Sequence, residues 1–313
     1  MASLKKIAFI VPYFGKWPQW KNLFLQSCIN NPTIDFYFFT DSQTPEVARN
    51  SSNLYFKELS FDDYCSLISD RLNISFHPSN PYKLCDVKPF YGIIHQDILK
   101  INKYDFWGFC DIDLIMGDIR AFYDEQVLST YNYISTHADR ISGHMCLIRN
   151  EESTEKDIYK IPKWKEMLTD PKNHAVDEMP FAYTIFPPVR WLWKIHKYIF
   201  FKFFNLLKIQ DEWTPYCNFC LFFNKIFGAN RRRILFKEQN TTPFVLMFKD
   251  YSNQIHPDYR FIYKDGKIFN ISTKQELIYL HFLTLKQIWN DDYMKTDALN
   301  SIEINTIGIT PYK

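Results

Sequence analysis

The sequence predicts an α/β protein built on a mostly parallel sheet flanked by helices. Three observations predict it. Short apolar runs alternate with stretches of helical periodicity through the first half of the chain. Several of those runs stop abruptly at proline or acidic residues, as buried strands do where they leave a sheet. The strand–helix–strand order favours parallel pairing with helices on both faces.

Taken in order, Ile7–Val11 is a short apolar run closed by Pro12 and reads as a buried strand. Trp17–Asn30 carries helical periodicity and stops before Asn31-Pro32. Asp35–Thr40 is a second strand, closed by Asp41-Ser42, and Leu54–Lys57 a weaker third. Ser60 is a candidate N-cap for a helix running to about Asn73. Pro89 fits the first turn of another helix that ends near Ile101. Asp105–Cys110 is then a strand. Tyr131–Thr136 and His144–Arg149 read as strands joined through Asp139–Gly143. Residues 150–180 are polar and rich in loop or helix signals, and Leu277–Leu280 is a late strand-like run. No internal repeat or disordered linker appears, so the expectation is a single domain over 1–313 with a variable insertion at 155–235.

Composition narrows the function classes. The chain has 313 residues and a net charge of +2, which gives no electrostatic case for a nucleic-acid partner. Its 8 glycines form neither GxGxxG nor GxxxxGK[ST], so a glycine-rich phosphate loop is excluded as the nucleotide device. The seven cysteines (28, 65, 85, 110, 146, 217 and 220) read as buried thiols of a reducing compartment. Cys217-x-x-Cys220 lacks the second pair or histidines a zinc site requires. The amino terminus has no apolar h-region, and no apolar run reaches the ~20 residues that span a bilayer. The expectation is a cytoplasmic protein.

The segment Phe106-Trp107-Gly108-Phe109-Cys110-Asp111-Ile112-Asp113 carries the strongest chemical signal. Side chains at i and i+2 on a strand point the same way, so Asp111 and Asp113 converge at its carboxyl end. Hard oxygen ligands suit Mg²⁺ or Mn²⁺. Asp113 is the more direct candidate ligand; Asp111 would reach the ion through water or touch a sugar or ribose. The bland alternative is a pair of solvated strand-end carboxylates. His281 follows the run Leu277–Leu280 and is a candidate third ligand, with Lys286 placed to set a point charge on a diphosphate. A structural histidine is the alternative there.

Lys83-Leu84-Cys85-Asp86-Val87-Lys88-Pro89 precedes a helix start. Either it is a solvated, capped helix start, or Lys83, Asp86 and Lys88 bind a donor, Asp86 accepting from sugar hydroxyls and Lys88 approaching phosphates. Asp177 and Glu178, not separable by sequence, are candidate general bases for an acceptor hydroxyl, or simply solvated helix-end charges. Gly143 reads as a turn residue that also permits close approach of a sugar, and His144 as an acceptor-facing or core residue. Pro187–Gln210 combines a basic stripe (Arg190, Lys194, Lys197, Lys208, with Lys202 near its edge) with a broad aromatic face. A core-packed amphipathic helix and a helix lying on a membrane surface over 188–209 are both compatible with it. Arg231–Arg233 would add attraction to anionic lipid, or form a solvated turn.

Together these pieces resemble a GT-A-type glycosyltransferase. More narrowly, KLCDVKPFYG, YDFWGFCDIDLIMGDI and the late HF…K are similar to a bacterial polysaccharide-biosynthesis family known as a domain of unknown function. The resemblance also covers IAFIVPYFGKW and the Thr-Asp at 40–41; the 155–235 region matches nothing in it. It implies a GT-A-like (Rossmann-type) fold with the nucleotide-sugar half in 1–120. It implies Mn²⁺ or Mg²⁺ on Asp113 and His281, and a base and ribose pocket at Pro12, Tyr13, Phe14 and Asp41. The implied donor is a nucleotide-sugar, by default UDP-hexose. The implied acceptor is a glycan or lipid-linked oligosaccharide at the inner face of the membrane, as in capsule or lipopolysaccharide synthesis. A base at Asp177 or Glu178 would favour inversion. A nucleotidyltransferase is the competing enzyme class, but Pro12-Tyr13-Phe14 is an aromatic platform rather than a phosphate cradle. A non-catalytic glycan- or membrane-binding protein on the same fold is the other alternative.

Overall fold

The structure, a computed structural model, describes residues 4–207, 213–227, 233–237, 239, 245–247, 253–255, 260–282, 285, 289, 292–294 and 299–312. Among the described residues, eight strands arise before residue 240: β1 (Ile7–Pro12), β2 (Ile34–Thr40), β3 (Leu54–Glu58), β4 (Phe106–Cys110), β5 (Leu114–Met116), β6 (Tyr133–Ser135), β7 (Met145–Arg149) and β8 (Ile234–Phe236). Seven of them form one sheet in the order β3-β2-β1-β4-β7-β6-β8. β3, β2, β1 and β4 run parallel. β7 is antiparallel to both its neighbours, and β6 pairs parallel with β8. The sheet is therefore mixed but mostly parallel, flanked by helices as the sequence predicts.

The strands alternate two apolar faces. Ala8, Ile10, Trp107, Phe109 and Ile148 enter one core, while Ile7, Phe9, Phe106, Cys110 and Leu147 enter the other. Both faces must be covered, which explains why these strands read as continuous apolar runs. α1 (Lys21–Ile29) covers the second face through Phe24, Leu25 and Cys28. α2 (Phe61–Leu72) covers the first through Tyr64, Cys65 and Ile68. Ser60 caps α2 by accepting from the Asp63 N–H at 3.0 Å, and Asn73 closes it in the left-handed conformation.

Three expectations need correction. The helix expected from Trp17 begins only at Lys21, because the chain around Pro18 is a turn. The single helix expected from Pro89 to Ile101 is a series of short pieces: Leu84–Val87, a 3₁₀ turn Lys88–Phe90, Tyr91–Ile94 and Gln96–Ile101. Pro89 has no N–H to donate into the preceding turn, which tightens the chain there. The late run Leu277–Leu280 is split between two sheets.

That split belongs to a second layer the sequence reading did not foresee. β9 (Val245–Met247) and β10 (Asn253–Ile255) make a two-stranded ribbon. β11 (Arg260–Lys264), β12 (Lys267–Asn270) and β13 (Glu276–Leu277) join β15 (Ser301–Asn305) and β16 (Gly308–Pro311) in an antiparallel sheet. β14 (Tyr279–His281) leaves it and pairs antiparallel with β5, setting His281 opposite Leu114. Leu23 of α1 and Ile115 of β5 pack into the core of this second layer.

Between β7 and β8 the chain is helical: Glu152–Ile158, Trp164–Thr169, Met179–Ile185, then a run over 189–206 with a π turn at His196–Phe200, then Trp213–Phe227. Among the described residues no helix is long and apolar enough to cross a membrane.

Candidate metal and donor site at the strand ends

β2, β1 and β4 are adjacent and parallel, so their carboxyl ends share one edge of the sheet. Asp41, Pro12–Phe14 and Asp111–Asp113 emerge there in that order, the position where open α/β sheets take ligands. The Asp111–Asp113 turn is fixed from three sides. The Asp111 N–H donates to the His144 carbonyl at 3.0 Å, and the Phe282 N–H donates to the Asp113 carbonyl at 3.3 Å. The Trp20 indole donates to the Ile112 carbonyl at 3.0 Å. Asp113 and His281 are both only 7% exposed.

Asp111, Asp113 and His281 each offer one ligand atom, all within 4.8 Å of one another. His281 Nε2 lies 3.5 Å from Asp113 Oδ2. Two carboxylates and one imidazole around one point can coordinate a divalent metal. The structure reaches it by pairing β14 with β5, so residues from distant parts of the sequence meet over two short strands.

Lys88 stands behind this cluster. Its ammonium donates to Asp111 Oδ1 at 2.7 Å and to the Gly143 carbonyl at 2.7 Å, and sits 3.2 Å from Asp177 Oδ2. Burial opposes the charge, but Asp111 and Asp177 outweigh it and hold the Lys88 ammonium well above its ordinary range. Burial pushes the Asp177 carboxyl up to about 7, against the downward pull of Lys88. Asp111 takes the shorter bond to the shared cation, so Asp177 keeps more of its desolvation penalty. Lys88 therefore bridges the Asp111 and Asp177 carboxylates; the expected approach to phosphates is not what its three oxygen partners describe.

Lys83 and Asp86 are also placed differently from expectation. Lys83 Nζ donates to Asp86 Oδ2 at 2.8 Å and to the Met167 carbonyl at 2.7 Å. Asp86 is fully buried and accepts from the His174 N–H at 3.0 Å and the Val176 N–H at 3.0 Å. With both oxygens occupied inside the protein, Asp86 has no face for a sugar hydroxyl. The pair instead ties down residues 167–176, the segment that leads to Asp177 and Glu178. Gly143 packs against those two residues: a β-carbon there would lie 2.9 Å from Asp177 Oδ2 and 3.0 Å from Glu178 Oε1. Asp177 is buried and Glu178 half-buried.

At the β1 and β2 ends, Asp41 is exposed and accepts from the Gly15 N–H at 2.8 Å. Tyr13 is half-buried and stacks on Trp17 with ring centroids 4.8 Å apart. Pro12 is half-buried beside it. Phe14 points inward instead, against Phe61 and Tyr64 at 5.2 and 5.3 Å. Lys286 lies outside the described residues.

A polar cluster lies beside Asp113 and His281, and of its members the sequence singled out His144. The rings of His137 and His144 lie 5.1 Å apart, and those of His144 and His281 4.3 Å apart. Burial, reinforced by His281 and His137, holds the His144 imidazole well below its ordinary range, in the neutral form. The Tyr279 hydroxyl bonds Thr136 Oγ1 at 2.6 Å and Ser142 Oγ at 3.2 Å. Tyr279 had a findable signal, because it shares a strand face with His281 at i, i+2. His137 and Trp20 had none.

The sequence matches, over residues 9–313, the family described as "Family of unknown function (DUF6625)", and the chain belongs to that family. No curated protein matches significantly. Among solved structures the chain is similar to the galactosyltransferase LgtC in complex with donor and acceptor sugar analogues: 14% identity, 57% of this chain and 70% of that one, TM-score 0.33. It is similar to mouse xyloside xylosyltransferase 1 at 13% identity over 57% and 80% of the two chains, TM-score 0.37. It is also similar to the glycosyltransferase GlyE of Streptococcus pneumoniae at 10% identity over 81% and 58%, TM-score 0.33.

Proposed function

We propose that this chain is a metal-dependent glycosyltransferase that moves a sugar, by default a hexose from a UDP-sugar, to a hydroxyl of a cell-surface glycan or lipid-linked oligosaccharide. The observation that carries the reading is the convergence of Asp111, Asp113 and His281 at the carboxyl edge of β4. These three residues would hold Mn²⁺ or Mg²⁺. When bound, the ion supplies positive charge that neutralises a departing diphosphate. Tyr13, Pro12 and Asp41, lining the adjoining strand ends, would take base and ribose. Asp177 or Glu178 would accept the proton of the acceptor hydroxyl, which favours inversion at the sugar carbon. Lys88 holds Asp177 and Asp111 at a fixed separation, so the two halves of the site keep their register. Lys286 is the candidate for a further charge on the diphosphate.

The test is a panel of UDP-, GDP- and CMP-sugars with Mn²⁺, read by thermal shift and slow donor hydrolysis. One nucleotide class should stabilise the protein, and chelator should remove the effect. Asp113→Asn should cut donor hydrolysis ~100-fold or more, the scale typical of losing an electrostatic stabiliser. Equal turnover by Asp113→Asn, indifferent to chelator, would end the proposal.

A further inference from the structure

Between Met179 and Lys237 the sequence carries ten Lys and Arg and two acidic residues, whereas the whole chain has 37 and 35. The positive excess is thus concentrated in this stretch of the sequence, which includes the helices over 189–206 and 213–227. An amphipathic helix that merely packs on a core turns its polar side to water. The helices over 189–206 and 213–227 do something else. Their inner side is buried through Leu192, Tyr216 and Cys220. Their outer side is apolar as well: Trp191 is 65% exposed, Leu206 79% and Phe222 62%, with Ile199 and Ile226 also exposed. Tyr198, Ile199, Lys202, Phe203 and Leu206 line one face together. Core packing does not account for an outward face of this kind, and patches of this type mark interaction sites.

The charges identify the partner. Lys194 Nζ sits 5.4 Å from the Trp191 ring and Lys202 Nζ 5.5 Å from the Tyr198 ring. Ammonium groups beside exposed aromatics suit the boundary between anionic headgroups and acyl chains, where the rings enter the apolar side and the cations stay with phosphates. We infer that these two helices form a foot that lies on an anionic lipid bilayer. The foot is joined firmly to the body. Phe200 packs on Tyr216 and Phe219 at 5.6 and 5.7 Å. The Tyr216 hydroxyl donates to buried Asp139 at 2.8 Å. Asp139 opens the loop that ends at Gly143, whose carbonyl receives Lys88. A surface that seats the foot therefore also fixes the distance of the Asp111–Asp177 region from the lipid. The inference is separate from sugar transfer and is tested without a donor.

The experiment is sedimentation of the full chain with vesicles containing phosphatidylglycerol, and with vesicles of phosphatidylcholine alone. The parent should bind the anionic vesicles preferentially, and salt should weaken that preference. The triple variant Trp191→Ser, Leu206→Ser, Phe222→Ser changes exposed positions and should keep the parent's thermal midpoint. It should bind at least roughly tenfold more weakly, since each lost side chain removes apolar burial. Lys194→Glu with Lys202→Glu should abolish the preference for phosphatidylglycerol. Failure of the parent to bind anionic vesicles would overturn the inference, as would equal binding by the triple variant. A parent dimer that the triple variant converts to monomer, with neither binding vesicles, would assign the face to a second copy instead.

Discussion

Lys88 is the residue on which the site's electrostatics turn. It is 6% exposed and neutralises two carboxylates, Asp111 and Asp177, that both approach its ammonium. Breaking a buried ion pair by removing one partner strands the other charge, which costs about 3–5 kcal/mol. Lys88→Met should therefore lower folding stability by that order in urea titrations and uncouple Asp111 from Asp177. Lys88→Arg should not restore the parent, because a planar fork cannot meet two carboxylates and a carbonyl as a rotatable ammonium does. A donor-site lysine free to meet phosphate would show a much smaller stability loss on replacement by Met. The sequence displayed Lys88 beside Asp86 and Lys83 but not which way each points. Two of the three turned inward as a strut, and i, i+3 spacing across a broken helix carries no information about that.

At the scale of elements, the broken helical stretch 84–101 owes its position to a close approach. A β-carbon on Gly92 would lie 2.1 Å from the Trp107 ring, and Trp107 is buried in β4. Gly92→Ala must push the stretch away from the strand that delivers Asp111, and overpacking of this kind costs roughly 1–3 kcal/mol or more. The variant should melt earlier and lose metal-dependent thermal stabilisation together; retention of both at parental values would refute the packing argument. β1 to β4 and α2 were legible because apolar period, caps and strand-end polar residues agreed. The antiparallel sheet from β11 to β16 was not, since its strands are short, their burial alternates, and pairing is set by partners far along the chain. The carboxylate pair was legible as two acids following an apolar strand, but strand alternation is not what aligns them: β4 ends at Cys110, and Asp111 and Asp113 converge from the bend beyond it. The place of His281 could not be fixed that way, because β14 owes its position to β5 and to nothing local.

For the whole molecule, pH acts through buried groups of opposite sign, among them His95 and Asp177. Burial lowers His95 to about 3, where it stacks on Phe39 and bonds the Tyr64 hydroxyl at 2.9 Å. The folded state then holds fewer protons than the unfolded one between about 3 and 6.5. Its contribution is complete above 6.5 and is lost as pH falls toward 3. Asp177 works the other way: its folded value near 7 lies above the ordinary 3.8, so the stability it contributes is complete at low pH and fades as pH rises toward 7. Urea unfolding across pH 4 to 7 should show the two partly offsetting. His95→Gln should reduce the acid-side loss by at most about 4–5 kcal/mol, the part that remains coming from His144, which burial also holds neutral. A variant with the parent's pH profile would show that His95 is not buried neutral.

The short ladder between β5 and β14 has a consequence for the order in which the protein becomes competent. During synthesis the parallel strands β1 to β4 leave the ribosome before β14, and the paired aspartates follow β4 directly. The imidazole that completes the trio is made after the last strand of the first sheet, β8. A nascent chain that has made β1 to β8 therefore holds every strand of its first sheet while the Asp111–Asp113–His281 cluster is still open, so the cluster closes only after that sheet is complete.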